Sequence, residues 1–112
     1  MESILTSIKK QLGIAEEYEH FDKDLIWHIN SVLFILTQLG VGPTNGFSIM
    51  DKTAIWDDFI DAANMELVKS YVGMKVKLLF DPPISSAALE AANRMISEFE
   101  WRLNVAVESK EG

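Results

Sequence analysis

His20, Asp24 and His28 stand at a spacing that could hold a metal. They occupy positions i, i+4 and i+8, which share one face of a continuous helix, and imidazole and carboxylate are ordinary ligands of divalent ions. Asp22 works against that reading. It stands where the helical pattern begins and is a natural N-cap, with Asp24 in the first turn, so His20 falls outside the helix and only two ligands remain. The carboxylates Asp57, Asp58 and Asp61 are a second candidate, because paired carboxylates can do acid–base work. They share the polar side of a short amphipathic segment, where acids are expected as solvated surface. Gly40, Gly42 and Gly46 do not have a phosphate-binding spacing. Trp27, Trp56 and Trp101 lack the surrounding bases of a nucleobase-stacking platform and read as core or interface anchors. The expectation is a protein with no catalytic residue, no metal ligand and no cofactor.

Composition narrows the classes further. The chain has 112 residues, enough for one domain, and no cysteine, which removes disulfide frameworks, Cys-ligated zinc and thiol catalysis. Asp and Glu number 17 against 10 Lys and Arg, a net charge of −7, which argues against gripping nucleic-acid phosphates as the main task. The 48% hydrophobic content is too high for a disordered acidic tail. The first residues carry an acid and no long apolar core, unlike a signal peptide. The most apolar run, Val32 to Leu36, falls far short of the roughly 18–20 residues that span a bilayer. A soluble intracellular product is the default expectation.

The elements that must position these residues are helical. Ile4, Leu5, Ile8 and Leu12 form one stripe of a short helix over about 2–12, with Lys9 and Lys10 in its last turn and Gly13 at its left-handed end. An acidic connector leads to a helix from Asp22 to Leu39, closed by Gly40. That helix is apolar all round at Val32–Leu36 and must be buried on several sides. Residues 41–52 read as a loop. Asn45-Gly46 is a hairpin turn signal and Phe47-Ser48-Ile49 alternates as a half-buried strand would, so a short β-hairpin is possible there. A short helix is expected over 53–62, then one from Asn64 to the Asp81-Pro82-Pro83 break. The last helix, capped by Ser85 or Ser86, carries a heptad seam of Leu89, Ala92, Ile96, Phe99, Leu103 and Ala106. The expected fold is all-α, a single small domain of about five helices over residues 1–107, with 108–112 a flexible C-terminal tail.

Three Trp, six Phe and five Met crowd a chain this small, so part of its apolar surface is expected to face partner subunits. Loops reach neighbours while helices fill the core. The expected subunit contacts are therefore the 42–50 loop and its surroundings, Phe47, Ile49, Trp56 and Phe59.

The order of segments resembles the small head–tail connector, or neck adaptor, proteins of tailed bacteriophages and prophages. The resemblance covers about 4–105. It rests on Ile26-Trp27-His28-Ile29-Asn30-Ser31, Gln38-Leu39-Gly40-Val41-Gly42-Pro43, Trp56-Asp57-Asp58-Phe59 and Val68-Lys69-Ser70-Tyr71. The Leu79-Phe80-Asp81-Pro82-Pro83 break and Ser97-Glu98-Phe99-Glu100-Trp101-Arg102-Leu103-Asn104 complete it. The resemblance implies a structural, non-enzymatic protein of the virion neck, assembled in the bacterial host cytoplasm. It implies a ring of about a dozen copies beneath the portal protein, a lengthened DNA channel and a platform for the next neck or stopper protein. DNA would pass the lumen without specific binding, and no membrane is involved. On this reading Asp57, Asp58 and Asp61 are the expected lumen lining, where like charge keeps phosphates off the wall. Glu108, Ser109 and Lys110 are the expected portal-docking segment. Two other classes remain open at this point: a small acidic helical regulator or inhibitor of one protein partner, and a small metal-dependent enzyme built on His20 and His28.

Overall fold

The computed structural model describes residues 2–111, with all their side chains but those of Ala62, Ser109, Lys110 and Glu111. Five α-helices follow in order: α1 (Ile4–Gln11), α2 (Asp22–Gln38), α3 (Trp56–Phe59), α4 (Met65–Phe80) and α5 (Ser86–Glu111). A 3-10 turn, Ala62–Asn64, leads into α4. No helix among the described residues is long and apolar enough to cross a membrane.

Local chemistry sets the helix ends. The Ser3 hydroxyl accepts the Thr6 N–H at 3.2 Å and starts α1. The α2 C-terminus closes with Gly40 at φ +87°. Its N–H donates to Thr37 O at 3.0 Å, and the Val41 N–H reaches Leu36 O at 2.8 Å. Gly13 and Ile14 close α1 with the same pair of bonds, to Lys10 and Lys9. Asp22 is the first residue of α2 rather than its cap. Its carboxylate has another task, holding the Lys9 ammonium at 2.9 Å. The Ser85 hydroxyl accepts the Ala88 N–H at 3.1 Å and opens α5.

Lys9 is the least expected core residue. It is only 2% exposed, and its ammonium donates to Glu16 O at 2.8 Å and Tyr18 O at 2.7 Å besides pairing with Asp22. All three of its protons are therefore satisfied, the condition for burying a charge without a large penalty. One side chain thus fastens the acidic connector between α1 and the start of α2.

Residues 41–55 form no hairpin. Pro43 to Gly46 make a turn, with Gly46 N–H donating to Pro43 O at 3.0 Å. The extended stretch after it pairs with a side chain instead of a second strand. Asn30 on α2 accepts the Ile49 N–H at 2.7 Å and donates to Ile49 O at 2.9 Å. An amide carries both the acceptor and the donor that a strand neighbour would offer. Among the described residues, one bridge of β type joins Ser3 and Ile55, with Trp56 N–H on Glu2 O at 3.2 Å. That bridge keeps Ile55 extended and limits α3 to one turn, against the 53–62 helix expected from sequence.

α4 is the middle of the molecule. It packs against α2 on one side and α5 on the other, and α1 crosses both α2 and α4. Val68, Tyr71, Val72 and Val76 are fully enclosed there. The buried Tyr71 hydroxyl donates to Glu100 of α5 at 2.7 Å. Burial first, then the neighbouring carboxylate, pushes its ionisation well above the ordinary phenol range. Ile96 and Leu103 of the heptad seam face α4 and are buried, so that seam serves internal packing. The whole measures 43 × 36 × 20 Å. The short axis admits about two helix diameters.

Two expected outcomes follow from these contacts. Gly42 has φ +85°, and a Cβ there would stand 2.5 Å from the Phe59 ring, whereas Gly46 has φ +91° with open space around it. Gly42→Ala should cost about 2–4 kcal/mol, combining left-handed strain with overpacking, and Gly46→Ala only about 1–2 kcal/mol. Urea denaturation of the two variants checks this, and equal losses would contradict the Phe59 contact. Lys9→Met should cost about 3 kcal/mol or more, because it leaves a carboxylate and two carbonyls without their donor. It should also open the connector to a glutamate-specific protease at Glu16 and Glu17, which limited proteolysis reads.

Candidate interaction surface

The side of α2 that faces away from the core carries its largest aromatic residues. Leu25, Ile29, Val32, Leu33 and Leu36 are buried, while Trp27 is 75% and Phe34 61% exposed. Trp27 and Phe34 are seven residues apart and lie together, about 160° around the helix from the buried stripe. The sequence reading that α2 is enclosed on all sides at Val32–Leu36 is corrected here. α1, α4 and the 41–55 loop cover one side, and nothing in the slab covers the other. An open, nearly flat patch lies along these two rings, bordered by Lys23, Ile26, Asn30 and Ser31.

α5 repeats the arrangement on its own outer side. Trp101 is 66% exposed and Val105, one turn on, also faces solvent. Beside them Arg102 meets Glu98 at 2.9 Å. Isolated apolar side chains on a surface are ordinary, but two tryptophans, each with an apolar neighbour one or two turns away, form patches of the kind that contacts use.

The residues expected at subunit contacts sit elsewhere. Trp56, Phe59 and Ile49 are buried in the protomer core, and Phe47 is half-buried with its ring 5.3 Å from that of Phe59. They shape the loop from beneath. Trp27 and Trp101 were legible as anchors, but Phe34 was not. Its position opposite the Leu25–Leu36 stripe was the available signal, and the all-apolar run obscured it.

Asp57, Asp58 and Asp61 are exposed near one another around α3. Two of them also hold backbone. Asp58 accepts the Ile55 N–H at 3.4 Å and Asp61 the Ala63 N–H at 3.2 Å. Behind them a cavity of about 240 Å³ opens between Gly40, Gly42, Phe59, Asp61, Asn64 and Val107. Glu108 is exposed on α5, while the Ser109 and Lys110 side chains lie outside the described residues.

The histidines are placed among aromatic rings. His20 stands in the connector with its ring 4.9 Å from Phe21, and His28 lies 6.5 Å from Phe80, itself 5.2 Å from Phe21. Among the described residues, no three His, Asp or Glu side chains are grouped to hold a metal ion.

No curated protein and no solved structure matches the chain. The sequence model of one family, described as phage connector protein, matches residues 4–110. That span takes in α1 to α4 and all of α5 but its last residue, the left-handed glycines that close α1 and α2, and both exposed aromatic flanks, so the chain belongs to the phage connector protein family.

Proposed function

We propose that the protein is a head–tail connector of the virion neck, which assembles as a ring beneath the portal, lengthens the DNA channel and carries the next neck or stopper protein. The observation that carries this reading is the family match over 4–110, joined to a slab that leaves aromatic faces uncovered on two helices. The role is structural. Helices packed through α4 supply rigidity, and the uncovered faces supply contacts to other neck components.

The lumen is assigned to the side bearing Asp57, Asp58 and Asp61. A charged wall of the same sign as DNA holds phosphates off by repulsion across wet space, and the duplex slides. The portal-docking segment is assigned to the end of α5 at Glu108, Ser109 and Lys110.

The direct test is electron microscopy of the protein mixed with purified portal. Rings seated on the portal end are expected, and a one-to-one complex with an unrelated partner would instead favour an inhibitor. The lumen assignment is tested separately at Asp57, which takes no part in the backbone bonds made by Asp58 and Asp61. Asp57→Lys should lower the yield of DNA-filled particles severalfold with an unchanged melting temperature, and Asp57→Asn should lower it less. Normal yield from Asp57→Lys would remove these aspartates from the lumen.

A further inference from the structure

We infer that Asn45 is a site of spontaneous covalent modification in the folded protein. Its side chain closes on the Gly46 nitrogen, and the resulting ring opens to aspartate and isoaspartate. The inference is independent of the connector reading.

This reaction asks three things of a structure. The asparagine amide must be free, the next residue must not obstruct the ring, and the backbone must be able to turn. Asn45 meets all three. It is exposed in the turn from Pro43 to Gly46, and no hydrogen bond holds its amide among the described residues. Gly46 has no side chain, and a Cβ placed there would meet no heavy atom within 4 Å. Thr44 and Asn45 keep negative φ, so this is not the left-handed turn that two paired strands would clamp. The backbone bond across the turn runs from Gly46 N–H to Pro43 O at 3.0 Å. It must open before the nitrogen attacks. That local opening makes the folded chain slower than a free peptide without closing the route.

The other four asparagines are placed differently. The Asn30 amide is engaged at both ends by the Ile49 main chain, at 2.9 and 2.7 Å. Asn93 and Asn104 lie within α5, where helical bonding holds the backbone, and are followed by Arg94 and Val105. Asn64 is followed by Met65 at the start of α4.

The chemistry needs only water. The Gly46 nitrogen gives its proton to solvent and bonds to Cγ of Asn45, and the side-chain nitrogen leaves as ammonia. The five-membered imide has two carbonyls, and water adds to either. Breaking the Cγ–N bond restores the main chain with an aspartate. Breaking the bond from the Asn45 main-chain carbonyl carbon routes the chain through the side chain, as isoaspartate. Either carboxyl is ionised at neutral pH and takes the net charge of −7 one unit further. Isoaspartate also adds a methylene to the main chain between two fixed points. These are Gly42, backed against the Phe59 ring, and Ile49, held by Asn30.

The test holds the intact protein warm at mildly alkaline pH for several days, followed by digestion and mass spectrometry. The fragment containing Asn45 should gain the amide-to-acid mass and split into two chromatographic species. One of them should accept a methyl group from an isoaspartate-specific carboxyl methyltransferase. The rate should rise with pH, because the attacking nitrogen must lose its proton. Asn45→Gln should be inert at this position, since its closure would need a six-membered ring. The rate in urea below the unfolding transition should match that in buffer. A rate that climbs with the unfolded fraction would move the reaction to the unfolded chain and overturn the inference. So would an unchanged fragment after the time in which the urea-unfolded chain converts. Aspartate without isoaspartate would reject the ring, and equal conversion at the other asparagines would reject the assignment to this turn.

Discussion

The molecule is only about two helices thick, and most of its character follows from that. α4 takes the interior position because it alone has neighbours on both sides, α2 and α5. Its enclosed residues, Val68, Tyr71, Val72 and Val76, form the hydrophobic seam to which the other helices are applied. No further layer is available to cover what α2 and α5 turn outward. A chain of this length has too little mass to build one. Trp27, Phe34 and Trp101 therefore stay in water in the protomer. Large rings kept on the surface lose the stabilisation that burial would bring, roughly 25 cal/mol for each Å² of apolar area. A partner that covered them would recover that loss.

A thin slab also depends on polar fastenings where apolar area is short. The Lys9 ammonium gathers two connector carbonyls and the Asp22 carboxylate. Asn30 stands in for a missing strand beside Ile49, and Tyr71 ties α4 to α5 through Glu100. At the N-terminus the Glu2 carboxylate meets Lys69 of α4 at 3.2 Å, and that hydrogen bond holds its ionisation below the usual carboxylate range. The Lys9 bonds span seven and nine positions, whereas those of Asn30 and Tyr71 join segments nineteen and twenty-nine positions apart. The Lys9 ammonium is the charged group among them that is turned fully inward, at 2% exposure.

This division explains what could be read from the sequence. Helix ends were legible, because their causes are local. Gly13 and Gly40 take left-handed geometry after an apolar stripe, Pro82 stops α4, and Ser85 opens α5. The heptad seam of α5 was legible for the same reason. The 41–55 segment was not. Its Asn-Gly and its alternating residues are hairpin signals, yet the partners that decide its path are Asn30 and Ser3, the nearer of which to Ile49 is nineteen positions away. Lys9 was read as a cation at a helix end, since nothing local shows that the connector will fold back over it. Among the expected site residues, the acids around α3 are exposed, as the amphipathic pattern required. Exposed aromatic residues were expected at the loop, because apolar type was visible there and the facing of Phe34 was hidden in an apolar run.

The acidic balance takes on a narrower meaning once individual carboxylates are placed. Several of the 17 acids serve the protomer itself. Asp22 neutralises Lys9, Glu100 accepts Tyr71, Glu98 meets Arg102, and Asp51, Asp58 and Asp61 hold backbone N–H groups. A carboxylate bound to a cation contributes little field beyond a Debye length of about 8 Å, so those ion pairs are weak repellents of DNA. A carboxylate that only accepts a backbone N–H keeps its full charge and can serve both fold and field. Exposed acids stand at Glu16, Glu17 and Glu19 of the connector, at Asp57, Asp58 and Asp61 about α3, and also at Asp24, Asp81, Glu90 and Glu108. On the proposed connector reading, acids that faced the lumen would repel the polyanion that passes it, while the apolar flanks would meet other neck components.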